Sequence, residues 1–354
     1  EGMPGGRTPE PGAKPGPKLA GLPPGDIDVF FFTNGGAEAV ENAIKIARTY
    51  TGRSKIMSRY RSYHGATAAA MAATSDRPRE DLGNIVLLQH VNVTIPDQRL
   101  ATIFYLSGLG LTRDPYLMAG IDNMWVNVGR NQFHLPSRGT QVLRGYVGIV
   151  MPDIAALKRR LQKVAPLLAE TRFSWEERDG VVEATCPWGN RFRCHRPAPE
   201  FGTTELAIAY VEFGVPPGAA AGIARFYQQI LGAHVALEDG AEPMAVVSTG
   251  ATQRLRFRET SRPLAQYDGH HVQIYIGDFS GPHRLLKERG LVTEESDEYQ
   301  YRFRDIVDPA SGKPLFTIEH EVRSLTHPLY ARPLVNRNPE QSNRNYVRGH
   351  DAFR

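Results

Sequence analysis

Two of the eleven histidines head copies of one eight-residue pattern, His90-Val-Asn-Val-Thr-Ile-Pro-Asp97 and His271-Val-Gln-Ile-Tyr-Ile-Gly-Asp278. Two further copies begin on tyrosine, Tyr146-Val-Gly-Ile-Val-Met-Pro-Asp153 and Tyr210-Val-Glu-Phe-Gly-Val-Pro-Pro217. Imidazole suits borderline divalent metals, but a lone strand-end histidine is equally well satisfied by hydrogen bonds. The surrounding pattern therefore has to carry the argument. Other chemistries lack their signatures: there is no Walker motif, zinc-finger spacing or catalytic serine elbow. Cys186 and Cys194 cannot make a disulfide framework and read as reduced thiols.

The elements that position these residues repeat. The four copies start 56, 64 and 61 residues apart. Each reads as a strand stopped at a Pro or Gly-Asp turn, followed by a helical pattern at 98–108, 154–168, 219–231 or 280–289. Two of these helices share Phe-Tyr with a following glycine, Phe104-Tyr105…Gly110 and Phe226-Tyr227…Gly232. Three short strands complete each unit, the last being Asn131–Pro136, Asn190–His195, Gln253–Arg258 and Pro314–Val322. The unit is βαβββ, four times over. One unit of about 60 residues cannot cover both faces of a curled sheet, so units must pair to bury a core.

Of the 354 residues, 41% are hydrophobic and 23% charged, which excludes wholesale disorder. The formal charge is +4 with no basic block, so no nucleic-acid partner is expected. No run approaches the roughly 20 apolar residues of a membrane span, so no membrane partner is expected either. The first residues do not read as a secretory signal, and a cytoplasmic compartment is the expectation. Residues 1–17, rich in Gly and Pro, read as a disordered leader. Segment 18–80 stands apart from the repeat, which divides into modules 1 and 2 (84–198) and modules 3 and 4 (203–330). In the polar tail, 331–354, the end is expected to be flexible, and the chain just before it to lie across the repeat.

The His-Val-x-Val-x-Ile-Pro-Asp strand, the Phe-Tyr…Leu-Gly helix end and the strand Gln132-Phe133-His134-Leu135-Pro136 resemble the vicinal oxygen chelate superfamily. That superfamily includes glyoxalase I, bleomycin-resistance proteins and extradiol dioxygenases. The resemblance covers about 84–330 and implies an α+β fold of four βαβββ modules forming two paired barrels, each cupped around a site that often holds a divalent metal. It places ligands on the first and last strands of each module. The first-strand positions are His90, Tyr146, Tyr210 and His271; the last-strand positions are His134, Arg193, Arg256 and Glu319. If module 1 pairs with 4, one barrel gathers His90, His134, His271 and Glu319 as ligands for Fe, Co, Ni, Mn or Zn. Glu321 is a rival to Glu319, two residues on along the same face. Asn92, Gln132 and Gln273 would face the same cup. The other barrel, with Tyr146, Arg193, Tyr210 and Arg256, cannot make an ordinary metal site. It reads as an anion pocket or as a salt-bridged cavity.

Residues 18–80 resemble class III, pyridoxal-phosphate-dependent aminotransferases. The resemblance rests on Phe31-Phe32-Thr33-Asn34-Gly35-Gly36-Ala37-Glu38-Ala39-Val40-Glu41-Asn42, with Thr51-Gly52-Arg53 and Tyr63-His64-Gly65-Ala66-Thr67. Gly36 and Ala37 would offer backbone N–H groups to the cofactor phosphate, and Tyr63 would stack on its ring. The Asp and Schiff-base Lys such enzymes need should lie far downstream, where this chain has the repeat. The segment therefore reads as an incomplete α/β fragment with a vestigial site, a fusion remnant or an assembly artefact. Pyridoxal phosphate is not an expected cofactor. The resulting expectation is a metal-dependent isomerase or lyase for a small oxygenated substrate, with Glu319 as general base. The alternatives are a metal-free sequestering protein and, disfavoured, a transaminase.

Overall fold

The computed structural model describes residues 31–53, 56, 64–73, 82–114, 122–332 and 334. The chain falls into two units, Glu1–Glu80 and Asp81–Arg354. The expected leader 1–17 and the end of the tail, 335–354, lie outside the described residues.

In the first unit, helix α1 (Gly36–Thr51) starts after Gly35 and stops at Gly52, which takes the left-handed conformation (φ 66°) that glycine tolerates best. Glu38 in its first turn accepts the Asn34 N–H at 3.0 Å. A second helix, α2 (Ala68–Ala73), is tied to the first by Glu41, whose carboxylate accepts the Ala69 and Ala70 N–H groups. Ile44 is the one buried residue of α1, while Ile46 and Tyr50 are exposed. The α/β reading of this segment calls for strands flanking α1. Residues 31–33 and 56 are not strand, and the rest lies outside the described residues.

The second unit is the fourfold repeat. Module 1 comprises β1 (Ile85–Asn92), α3 (Gln98–Ala101) continuing as a π-helix over Thr102–Gly108, β2 (Thr112–Arg113), β3 (Asn123–Val128) and β4 (Asn131–Pro136). Module 2 comprises β5 (Gly145–Val150), α4 (Ile154–Val164), β6 (Ser174–Arg178), β7 (Val181–Thr185) and β8 (Arg191–His195). Module 3 comprises β9 (Ala207–Val215), α5 (Ala220–Gln229), β10 (Val235–Glu238), β11 (Met244–Ser248) and β12 (Arg254–Glu259). Module 4 comprises β13 (His271–Ile276), α6 (Ser280–Glu288), β14 (Val292–Asp297), β15 (Gln300–Val307) and β16 (Pro314–Ser324). Asp97 and Asp153, the Pro-Asp stops seen in the sequence, are N-caps whose carboxylates accept N–H groups of the helices they open.

The strands form two eight-stranded sheets, β14-β15-β16-β13-β1-β4-β3-β2 and β10-β11-β12-β9-β5-β8-β7-β6. The outer modules, 1 and 4, thus share one sheet, and the inner modules, 2 and 3, share the other. The seam is antiparallel in both, β1 on β13 and β5 on β9. The helices' Phe-Tyr pairs fill the core. Tyr105 packs on Phe133 and Phe192, and Tyr227 on Phe257 and His320. Two buried amides tie one sheet to the other. Gln253 binds the N–H and C=O of Leu88 and the C=O of Ile208; Asn131 binds the Leu88 C=O and the Ile208 N–H.

Candidate metal centre

The seam of the first sheet sets the site. Across it His90 faces Gln273 and Asn92 faces His271, so these four side chains share one face. The parallel neighbours supply the next rungs: β4 brings His134 beside Asn92 and Gln132 beside His90, and β16 brings Glu319 beside His271 and Glu321 beside Gln273. The seam relates His90 to His271. Under that relation the counterpart of His134 is Glu321, and that of Gln132 is Glu319. Alignment by spacing had equated Glu319 with His134, because it could not see that β16 meets β13 two residues out of step with that alignment.

His90, His134 and His271 come together, each offering a nitrogen within 4.8 Å of the others. His90 Nδ1 lies 2.5 Å from Gln89 Oε1, which can only accept, so Nδ1 carries the proton and Nε2 keeps its lone pair. That Nε2 is buried without a hydrogen-bond partner among the described residues, as are His271 Nε2, both amide atoms of Gln273 and Trp125 Nε1. Buried polar atoms are ordinarily paired, so such a cluster on one face fits a polar or metallic guest. His134 is better satisfied. It stacks on Trp125 at 3.9 Å, donates from Nε2 to Asn123 Oδ1 (2.7 Å) and accepts at Nδ1 from Asn92 (2.5 Å). Burial drives all three imidazoles toward the neutral form, to about 3 for His134 and His271 and well below the usual value for His90. The neutral ring is the ligating one.

The carboxylates are held differently. Glu319 is one-quarter exposed and lies 3.5 Å from His271 Nδ1; the Glu321 side chain is 4% exposed and lies 3.7 Å from His271 Nε2. Arg302 reaches both, touching Glu319 at 2.5 Å and also bonding Glu321, and Arg323 sits 2.7 Å from Glu321. Burial pushes the Glu321 carboxyl up, but the surrounding charges, Arg323 first, hold it well below the usual carboxylate range. The two arginines were missed by sequence reasoning. Arg323 could have been found as the next residue on the Glu319–Glu321 face of β16. The chain after β16 makes contacts on this face. Tyr330 packs on Tyr275, Asn127 donates to the Leu334 carbonyl, and Arg332 pairs with buried Asp114 at 2.7 Å.

Elsewhere, Gly36 and Ala37 are the first residues of α1, and Gly65 approaches Ala37 so closely that a Cβ would lie 2.5 Å from its methyl. Tyr63 lies outside the described residues. Arg193 and Arg256 cover the rings of Tyr146 and Tyr210 at 3.8 and 3.9 Å, in the second sheet.

The two sheets of paired βαβββ modules have the vicinal oxygen chelate fold. Glyoxalase I from Zea mays shares it with a TM-score of 0.50 at 14% identity, over 68% of this chain and 92% of that one. The first unit has a separate likeness: residues 3–102 match the family Aminotransferase class-III, a match that runs on through β1 into the repeat. An uncharacterized aminotransferase of Archaeoglobus fulgidus is 49% identical over 63 residues, 18% of this chain and 15% of the relative. An acetylornithine aminotransferase of Bacillus amyloliquefaciens is 54% identical over 57 residues, 16% of this chain and 24% of the relative. The chain therefore spans less than a quarter of the length of these aminotransferases. No described helix is long and apolar enough to cross a membrane.

Proposed function

We propose that the outer cup binds one divalent metal ion through His90, His134 and His271 and acts on a small oxygenated substrate, as an isomerase or lyase. One observation carries this reading: three neutral imidazoles from three strands converge within 4.8 Å, and two keep a buried Nε2 with no hydrogen-bond partner among the described residues. Glu321 is the carboxylate proposed to complete the set, on the strength of its rung and burial. The metal would act as a Lewis acid toward substrate oxygens. Glu319, at the more exposed edge, is the proposed proton acceptor, and Gln273 and Asn92 would orient the substrate by hydrogen bonds. Arg302, bonded to both carboxylates, holds them in place; it must loosen from Glu319 for that residue to take a proton. Three imidazoles and a carboxylate leave fewer open positions than the two-His-one-carboxylate set that activates oxygen, which favours isomerase or lyase chemistry over ring cleavage.

The test is elemental analysis of the purified chain beside a His90→Ala/His271→Ala variant. One equivalent of Fe, Co, Ni, Mn or Zn in the native chain, lost in the variant, is the expected result. No metal in either after loading would leave the second reading, a metal-free small-molecule-binding protein. That reading is favoured by His134, whose two ring nitrogens both have protein partners, and by the arginines on both carboxylates. Transamination is not proposed, since the likeness to aminotransferases covers so little of their length.

A further inference from the structure

The inner cup reverses the chemistry of the outer one. On the rungs that carry His134 and Glu321 in the first sheet, the second sheet places Arg193 beside Gly148 and Arg256 beside Glu212. On those of His90 and His271 it places Tyr146 and Tyr210. Metal-ligating positions have become cationic ones. A cavity of about 740 Å³ opens here, lined by Arg144, Arg191, Arg193, Arg258 and Arg262. The lining also includes the apolar residues Val142, Leu143, Pro263 and Leu264.

A self-contained salt-bridge network would balance its charge, and this one does not. Glu212, 5% exposed, serves Arg258 at 3.2 Å and Arg193 at 3.6 Å, and Glu183 serves Arg193 at 2.9 Å. With Glu242, and with Asp268 whose charge acts on Arg144, four carboxylates stand against five guanidinium groups, and the cavity keeps a positive excess. Arg191 is turned over the Tyr146 ring with Nη1 3.0 Å from its hydroxyl, which leaves its other donors available. Arg262 is exposed and makes no side-chain hydrogen bond or ion pair among the described residues. Guanidinium forks match the paired oxygens of carboxylates and phosphates, and the volume suits a small organic molecule.

We infer that the inner cup binds a small organic dianion, with its charged oxygens on the arginines and its apolar body against Leu143 and Leu264. The site is separate from the proposed metal centre and does not depend on it. Calorimetric titration of the full chain with phenyl phosphate and with phthalate tests the idea, with benzyl alcohol as the neutral control. Saturable binding of one or both dianions with a Kd below about 1 mM is expected. The dianion that binds better tells an organic phosphate from a dicarboxylate. Arg191→Gln/Arg262→Gln, at two exposed positions, should weaken binding about tenfold or more, equivalent to about 1.4 kcal/mol, and keep the fold. His90→Ala/His271→Ala should leave binding unchanged. No saturable binding of either dianion, equal binding of benzyl alcohol, an unaffected arginine variant, or loss of binding in the histidine variant would each overturn the inference.

Discussion

At the scale of single residues, the two glutamates of β16 are assigned different work, and substitution separates them. Glu321→Gln removes a buried charge that answers both Arg302 and Arg323. Stranding the buried Arg323, while Arg302 keeps Glu319, is expected to cost about 3 kcal/mol of stability and to weaken metal retention. Glu319→Gln strands less, because the side chain is one-quarter exposed and Arg302 keeps Glu321. Its expected effect is on turnover, with metal content unchanged. Urea midpoints and metal content of the two variants, measured side by side, decide it. Equal metal loss in both would remove the distinction. The sequence made three of the histidines legible because imidazoles recurred at comparable places in modules 1 and 4. It left the carboxylate ambiguous because Glu319 and Glu321 share a face, and only the β13–β16 ladder settles which one matches His134.

At the scale of elements, the repeat was readable because each module closes its own strand–helix–strand grammar. Pro-Asp or Gly-Asp stops, capping aspartates and Phe-Tyr helix faces are all local signals. The pairing of modules was not local. The hint toward 1 with 4 was the chemistry of the first- and last-strand residues, His90 and His134 in module 1 with His271 and Glu319 in module 4. The last strands also open on a signal that sequence reading passed over: Asn131 and Gln253 look like ordinary turn residues, yet both are buried and bind backbone of the opposite sheet. Gln253→Ala would leave buried N–H and C=O groups of Leu88 without that amide, at a cost of about 2–3 kcal/mol. A urea midpoint equal to that of the native chain would contradict it. Gly145 sets a harder limit, because a Cβ there would meet the Glu212 carbonyl oxygen at 1.7 Å, backbone against backbone. Gly145→Ala should therefore spread β5 from β9 and yield little folded protein, read as loss of the cooperative unfolding transition.

At the scale of the whole second unit, burial favours the neutral form of several described histidines, among them His90, His134, His271, His320 and His327, and this ties stability to pH. His320 makes the case most simply. Its Nδ1 donates to the Ile318 carbonyl and its Nε2 accepts the Tyr227 hydroxyl, while its ring stacks on Phe303 at 4.4 Å. Burial lowers its pKa from 6.5 to about 4, and His134 and His271 fall to about 3. An unfolded chain takes up these protons near pH 6.5, whereas the folded one resists until the pH nears its own lower values. The unfolded state thus binds more protons throughout that interval, and stability falls as the pH drops through it. Each such histidine contributes a slope of about 1.4 kcal/mol per pH unit, and the loss should be complete only below pH 3–4. Urea unfolding from pH 7.5 to 4 should show a steep decline beginning near pH 6.5. A Phe or Gln at His320 should remove one proton's share of that slope. A bound metal would steepen the decline further, because acid would then have to displace the ion as well as protonate the rings. A stability profile flat from pH 7 to 4.5 would mean that these imidazoles reach solvent, and with it the closed, metal-ready cup would have to be given up.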